Sequence, residues 1–570
     1  MDPIGVVLGR REATPLEFWV GVAPGKKLRL DDLVVAESDG VRYFGMVDRV
    51  MKLHEGSQFD SDAFLARENV LPVNTAYVAH VSVTRLEPED YRPPEPGANV
   101  FLAEGEALDQ ALYYDGMKER LPVGLLSSGH PAYVNLEFLD GRRGGHVNIS
   151  GISGVAAKTS YALFLLFSLF ESGVLKNAAS ARTLLFNVKG QDLFFLDKKN
   201  KNLKPEDAAA YARMNLKPRP FQSVAFFAPP RHPPGEGEIV PFTVRRMEGV
   251  APYHWDLVQF ARGRLLPYLF ADRGGMTNLA FLAEHVTERL FRLAEGQKGP
   301  ALLVEDWAPA EAPGLTPLDF DQLGRTALTT FADLVAYIEF KLLEAGEGQG
   351  DPAWVARQHR GTLEAFVRRL RAAKKAIAPL VRGDKPGRPP DPLKSDAQLN
   401  VVDIHRLPAQ AQMFVVGALL KEVFSAKEAS RYQGQVFIVL DELNKYAPRE
   451  GESPIKDVLL DIAERGRSLG VILIGAEQTA SEVERRVVAN AAIRVVGRLD
   501  AAEAERPEYR YLPGAFRDRA VLLPQGAMVL HQPEVPVPLL IRFPYPAWAT
   551  KASEVEEDVS AGRLRDEFGL

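Results

Sequence analysis

The sequence contains no cysteine among its 570 residues. That removes disulfides, thiolate metal ligands and cysteine nucleophiles together, and suits a reducing, cytoplasmic interior. It also lacks a long apolar run. The most apolar helical stretch, Tyr161 to Phe170, is ten residues long and includes Ser168, whereas crossing a bilayer takes about 20, so no membrane segment is expected. The N-terminus, MDPIGVVLGRREATPLEF, has neither the basic start nor the apolar centre of a signal peptide. No large excess of one charge is present either: the formal net charge of -6 argues against a histone-like sheath for nucleic acid but leaves room for a local basic lining. What is present is ordinary globular composition, 46% hydrophobic and 25% charged, which excludes a disordered or fibrous chain. The length suggests roughly three or four structural units.

The opening is rich in β signals. GVVLG, EFWVGVA, LVVAES, VRYFGMVDRV and AYVAHVSVTRL are short, Val-rich and separated by Gly, Pro and Asp, a spacing that predicts a small barrel. The stretch Tyr91 to Asn99, YRPPEPGAN, carries three prolines in nine residues and is read as the hinge that closes this first domain, with a boundary near residue 105. From about residue 130 the pattern becomes strand, Gly-rich turn, helix, strand: HVNISG, VAAKTSYALFLLFSLF and RTLLFNV, a βαβ unit. Buried strands recur late as QVFIVLDE and VILIGAEQ, so the two stretches together form one α/β core. Between them, apolar residues at helical spacing from about 255 to 399 predict a helical insertion. The expected organisation is a β-barrel over 1–105, the core over 106–254 and 400–545, the insertion over 255–399, and a tail over 546–570.

Three segments carry chemistry. The first is Gly151-Ile-Ser153-Gly154-Val155-Ala156-Ala157-Lys158-Thr159-Ser160, a glycine turn that leaves a strand and enters a helix with Lys-Thr in its first turn. Backbone N–H groups and a helix N-terminus cradle phosphate oxygens, a lysine there reaches the β and γ phosphates, and the hydroxyl holds Mg²⁺. The GxxxxGK[ST] pattern asks for glycines one and six places before the lysine, where Ala157 and Ile152 stand. Taken alone, such a turn also serves as a plain helix cap. The second segment is Val436-Phe-Ile-Val-Leu440-Asp441-Glu442, an apolar strand ending in two acids. At the carboxyl end of a strand in an open α/β sheet, Asp441 can orient Mg²⁺ and Glu442 can polarise the water that attacks the γ-phosphate. The alternative is two solvated acids in a turn. The third, Val471 to Gln478, ends in an amide that can sense the γ-phosphate or simply meet solvent.

The ordered set of these features resembles the HerA branch of the HerA and FtsK family of DNA translocases. The matching residues are His146 before the loop strand, Lys158-Thr159, Asn187-Val-Lys-Gly190, Asp441-Glu442, Ala463-Glu-Arg-Gly466-Arg467-Ser-Leu-Gly470, Gln478, and a late hairpin from Leu523-Pro-Gln-Gly526 to Pro538-Leu-Leu-Ile-Arg542-Phe. The resemblance implies a RecA-like P-loop ATPase core with an N-terminal HAS-type barrel. It further implies a homo-hexameric ring around double-stranded DNA, ATP and Mg²⁺ between neighbours, and a NurA-type nuclease docked on the barrel for DNA end resection and repair. Arg467 matches the family's Gly-Arg arginine and is implied to act in trans, with Arg465 as the nearest alternative. Asn187 departs from the aspartate found there in many members.

The DNA contact has a separate signal. Between Val355 and Ser395 there are eleven Lys or Arg against three Asp or Glu, a local charge of +8. Arg368, Arg371 and Lys375 recur on one side of a helix whose other side carries Leu363, Phe366, Leu370 and Ile377. That face can line a route for phosphates or simply meet solvent, and the loop from Asn444 to Ser453 is a rival. Three function classes fit: a helicase or translocating motor, an ATP-dependent scaffold for another effector nuclease such as those of defence systems, and a small-molecule kinase. The kinase is least suited, since paired strand-end carboxylates and a barrel build no acceptor pocket.

Overall fold

The computed structural model describes residues 2–55, 59–68, 70, 74–152, 154, 158–188, 193–231, 238–243, 246–270, 277–305, 307 and 324–556. A closed six-stranded barrel comes first. Its strands are β1 (Gly5–Val7), β2 (Glu17–Val22), β3 (Leu33–Ser38), β4 (Val41–Glu55), β5 (Asn74–Glu87) and β6 (Asn99–Leu102), closed in the order β1-β2-β5-β4-β3-β6. Phe18, Val20, Val34, Val47, Val81 and Val100 fill it, as expected where Val-rich strands alternate between an inner and an outer face. Glycine permits a close approach between β4 and β5. At the register shift beside Phe44, a Cβ on Gly45 would stand 2.8 Å from the Ser82 carbonyl oxygen, so only glycine lets β4 bend onto β5 there. The proline stretch read as a hinge leads directly into β6, the strand that seals the barrel.

The rest is built on one twelve-stranded sheet. In chain order its strands are β7 (Arg120–Leu126), β8 (Pro131–Asn135), β9 (Val147–Ser150), β10 (Arg182–Asn187), β11 (Val224–Ala228) and β12 (Val250–Pro252). Four short strands, β13 (Trp255–Asp256), β14 (Leu302–Val304), β15 (Thr326–Leu328) and β16 (Val381–Arg382), pair separately, and the sheet resumes with β17 (Leu399–Asp403), β18 (Val436–Asp441), β19 (Val471–Glu477), β20 (Ile493–Val496), β21 (Ala527–His531) and β22 (Leu539–Arg542). The spatial order is β12-β11-β17-β10-β18-β19-β9-β20-β21-β22-β7-β8. Every pair from β12 to β20 is parallel, and the remaining pairs are antiparallel. This is the expected α/β class: a mainly parallel sheet core with an N-terminal barrel and a helical insertion. One local expectation changes. HVNISG and RTLLFNV are not paired neighbours, because β19 and β18 lie between β9 and β10. The helix joining them carries the chain across two intervening strands.

Burial on both faces explains why these strands read as continuous apolar runs. Leu185, Phe437, Val439 and Ile474 face one core with the helix Lys158–Glu171, while Leu184, Ile438, Leu440 and Leu473 face a second core with the helices Ala409–Glu428 and Pro454–Leu469. The insertion packs its helices Thr277–Ala294, Phe331–Glu339 and Arg360–Ile377 onto that second core through residues such as Leu282, Leu334 and Phe366. Helix Lys158–Glu171 is apolar on nearly every side because the chain's late segment covers it, with the Phe167 and Trp548 rings 5.0 Å apart. Its buried hydroxyls are satisfied: Ser168 donates to the Pro122 carbonyl at 2.6 Å and Tyr161 to the Val123 carbonyl at 3.2 Å.

The barrel packs on the core through Leu33, Val35, Phe44 and Met46, and a two-pronged ion pair ties it there: Arg519 donates to the two carboxylate oxygens of Asp31 at 2.7 and 2.6 Å, and the Asp31 side chain is only 8% exposed. Asp31→Ala leaves the guanidinium without its partner and should cost about 2 kcal/mol. Thermal unfolding should show the barrel melting before the core. A variant with an unchanged single transition would mean that other contacts hold the two together.

Candidate nucleotide site

The chemistry-bearing segments meet at the carboxyl ends of β9, β18 and β19. β9 delivers the chain into Gly151 and Gly154, with φ of 153° and 82°, conformations that glycine adopts without strain. The chain re-enters regular structure at Lys158, the first residue of its helix. Ser153, Val155, Ala156 and Ala157 lie outside the described residues. Lys158 is 4% exposed, and its ammonium donates to the Gly151 carbonyl at 2.5 Å, so a positive charge is held inside the turn. Thr159 donates its hydroxyl to the Asp441 carboxylate at 2.8 Å, across the intervening β19. Ser160 lines the cavity beside them.

His146 fixes the approach. It takes a positive φ of 66° just before β9, and its ring Nδ1 accepts the Leu473 N–H at 2.9 Å, locking the loop strand to β19. Burial pushes its pKa down to about 4, so the ring is neutral near pH 7 and keeps Nδ1 as an acceptor.

Asp441 ends β18, and Glu442 follows in the left-handed region at φ 59°, ψ 49°. That is an uncommon conformation for a non-glycine residue, of a kind that concentrates at functional sites. It turns the two acids in different directions. Asp441 faces Thr159 and accepts the Glu442 N–H on its other oxygen at 2.9 Å, while the Glu442 carboxylate accepts the Gln478 amide at 3.0 Å. The close packing under this turn depends on Gly475, where a Cβ would meet Leu443 at 2.5 Å.

The arrangement suits a magnesium nucleotide. Among the described residues no cluster of three or more His, Cys, Asp or Glu could hold a metal, whereas a hydroxyl and one carboxylate are the sparse oxygen set with which Mg²⁺ is held when phosphates and waters complete its shell. A cavity of about 700 Å³ runs from Lys158, Thr159 and Ser160 out to Gln525, Tyr545 and Lys551, space on the scale of a nucleotide.

Two other sets of expected residues lie elsewhere. Arg467 is exposed in the last turn of helix Pro454–Leu469, at the amino end of β19, and its guanidinium approaches the Arg143 carbonyl at 3.5 Å. Seven residues of β19 separate it from Gln478, about 20 Å at the usual strand rise. Arg465 is instead engaged by Glu428 and Asp461. Arg368, Arg371 and Lys375 are exposed on helix Arg360–Ile377, whose Leu363, Phe366, Leu370 and Ile377 are buried. Arg371 is paired with Glu339 at 2.9 Å, which leaves Arg368 and Lys375 as the freer charges of that face. Thr550 was not singled out in sequence, yet it lines the cavity beside Thr159, and no local pattern marks it.

No protein-family model matches the chain, and a search of curated proteins finds no match. Among solved structures, the chain is similar to VirB4 of Thermoanaerobacter pseudethanolicus, at 16% identity over 75% of this chain and 96% of that one, with a TM-score of 0.42. It is also similar to the plasmid coupling protein TrwB in complex with the GTP analogue GDPNP, at 11% identity over 78% and 94% of the two chains, with a TM-score of 0.44. A quarter of the chain, 26%, is similar to the genome packaging NTPase B204 from Sulfolobus turreted icosahedral virus 2, at 15% identity over 67% of that chain, with a TM-score of 0.21.

A further carboxyl lies beneath the site. Glu477, the last residue of β19, is fully buried beside Asn148 and Lys158, and burial pushes its pKa up to about 8 against the pull of that amide and ammonium. With a folded-state value above the ordinary 4.5, the group carries no penalty below pH 4.5. It destabilises the fold increasingly as the pH rises towards 8. Glu477→Gln should therefore be more stable than the parent at pH 8, with the gap closing by pH 4.5. Melting temperatures across that range test this, and a gap independent of pH would contradict it.

Proposed function

We propose that this chain is an ATP-hydrolysing motor of the HerA type that works on duplex DNA as a homo-hexameric ring. The observation that carries the reading is the meeting of Lys158, Thr159, Asp441, Glu442 and Gln478 at adjacent strand ends. Lys158 binds the β and γ phosphates. Thr159 and Asp441 hold Mg²⁺, which neutralises phosphate charge when bound. Glu442 polarises the attacking water, and the Gln478 amide fixes that carboxylate while reaching towards the γ-phosphate. Ring assembly is supported by the position of Arg467, too far from its own site to serve it but exposed to a neighbour. A guanidinium supplied across an interface would stabilise transition-state charge and make hydrolysis depend on assembly.

DNA contact is supported by the +8 segment around helix Arg360–Ile377, where Arg368 and Lys375 stay exposed. The barrel supplies none of these residues, and its role in this reading is assembly and docking of a NurA-type nuclease for DNA end resection and repair. Its β4–β5 hairpin carries a small helix, Asp62–Arg67, with no buried residue, and exposes Phe59, Phe64 and Val70, apolar surface of the kind that marks a partner site.

Glu442→Gln should bind ATP with near-normal affinity and hydrolyse it at least a hundredfold more slowly. Lys158→Ala should lose nucleotide binding. Equilibrium binding and steady-state turnover measure both, and near-normal turnover of Glu442→Gln would sink the assignment.

The interface role of Arg467 is tested by mixing. Arg467→Ala and Lys158→Ala subunits, each inactive alone, should recover part of the activity in mixed rings, because an intact Arg467 then faces an intact loop. No recovery in rings shown to be mixed, or full activity of Arg467→Ala alone, removes Arg467 from that role.

A further inference from the structure

Two buried side chains at neighbouring strand ends remain outside the roles assigned above. Asn187 ends β10 and Asp403 ends β17, the two are register partners in the parallel sheet, and each is 1% exposed. Asn187 Nδ2 donates to Asp403 Oδ1 at 3.1 Å, and the same oxygen receives the His405 ring nitrogen Nδ1 at 2.6 Å. A carboxylate oxygen accepts the amide N–H, which fixes the end of the Asn187 amide that faces Asp403. One Nδ2 hydrogen is committed to Asp403, which leaves Asn187 its second N–H and the acceptor Oδ1. That oxygen is buried with no hydrogen-bond partner among the described residues.

Such an orphan acceptor costs free energy unless something donates to it. Its surroundings indicate what. Asn187 lines a cavity of about 110 Å³ that is also lined by Thr159, Asp441 and Thr550, room for several waters. Mg²⁺ bound to a nucleotide keeps several of its waters, and Thr159 and Asp441 are the residues suited to hold it.

We infer that Asn187 Oδ1 accepts a hydrogen bond from a water of the Mg²⁺ hydration shell, and that Asp403, braced by His405, is the positioning residue that aims the amide. The inference rests on the nucleotide reading above and adds a second wall to that site. It also gives a reason for an amide at position 187. A carboxylate there would stand 3.1 Å from Asp403, where two like charges resist joint ionisation.

The test reads binding as well as turnover, with ADP titrated in the presence and absence of Mg²⁺. Asn187→Ala and Asp403→Ala should each weaken Mg²⁺-dependent ADP binding roughly tenfold, the scale of one lost hydrogen bond, and leave Mg²⁺-free binding unchanged. Asp403→Asn keeps one acceptor oxygen and should stay within about threefold of the parent. The double variant Asn187→Ala, Asp403→Ala should be no worse than either single one, because both remove the same contact. Additive losses, or unchanged Mg²⁺-dependent affinity in Asn187→Ala, overturn the inference. If Asp403→Ala fails to fold, Asn187→Ala and Asp403→Asn decide it alone. A parent protein that binds no ADP under either condition would overturn the nucleotide reading itself, whereas normal parent binding with unaffected variants overturns only this inference.

Discussion

The hydrogen bond from Thr159 to Asp441, 2.8 Å across an intervening strand, is the contact on which the site depends. The two residues are 282 positions apart in sequence and belong to elements that do not touch edge to edge. They meet only because β19 lies between β9 and β18 with all three parallel and in register at their carboxyl ends. His146 ties the loop strand to β19, and Gly475 lets Leu443 pack beneath the acid turn. Burial of both sheet faces keeps the frame from shifting. A one-residue slip of a central strand would exchange its side chains between two differently packed cores, so hydrophobic packing holds the polar geometry in place.

The sheet also has a polarity that matters for the proposed motor. The residues proposed to bind the subunit's own nucleotide sit at the carboxyl ends of the strands, and Arg467 sits at the opposite end of β19, at the close of the helix that feeds it. One rigid strand therefore joins a residue suited to sense the subunit's own nucleotide, Gln478, to one suited to act on a neighbour's. In the proposed ring, that strand is a short mechanical path between adjacent sites.

Much of the site was legible because its signals are local. An apolar run ending in Asp441-Glu442, a glycine turn entering Lys158-Thr159 and a strand ending in Gln478 each declare a strand end or a helix start within ten residues. What stayed hidden was long-range. Nothing local says that two strands insert between HVNISG and RTLLFNV, since parallel order is set by crossovers rather than by patterning. The barrel's sixth strand was missed because NVFL follows three prolines and reads as the end of a hinge. Asp403 carried the same signature as Asp441, an apolar run closing on an acid in LNVVD, and that rule applied evenly would have found it. Thr550 offered no such signal, and the pairing of Arg371 with Glu339 depends on two helices of the insertion meeting in the core they share with the sheet.

In the proposed reading, ATP hydrolysis is the engine of a DNA-handling ring. Steady-state ATP turnover, measured with and without duplex DNA on protein whose native mass is recorded in the same buffer, tests it most directly. An assembled ring whose turnover rises several-fold with duplex DNA is the expected result. Turnover indifferent to DNA, or carried out equally well by isolated subunits, would contradict it.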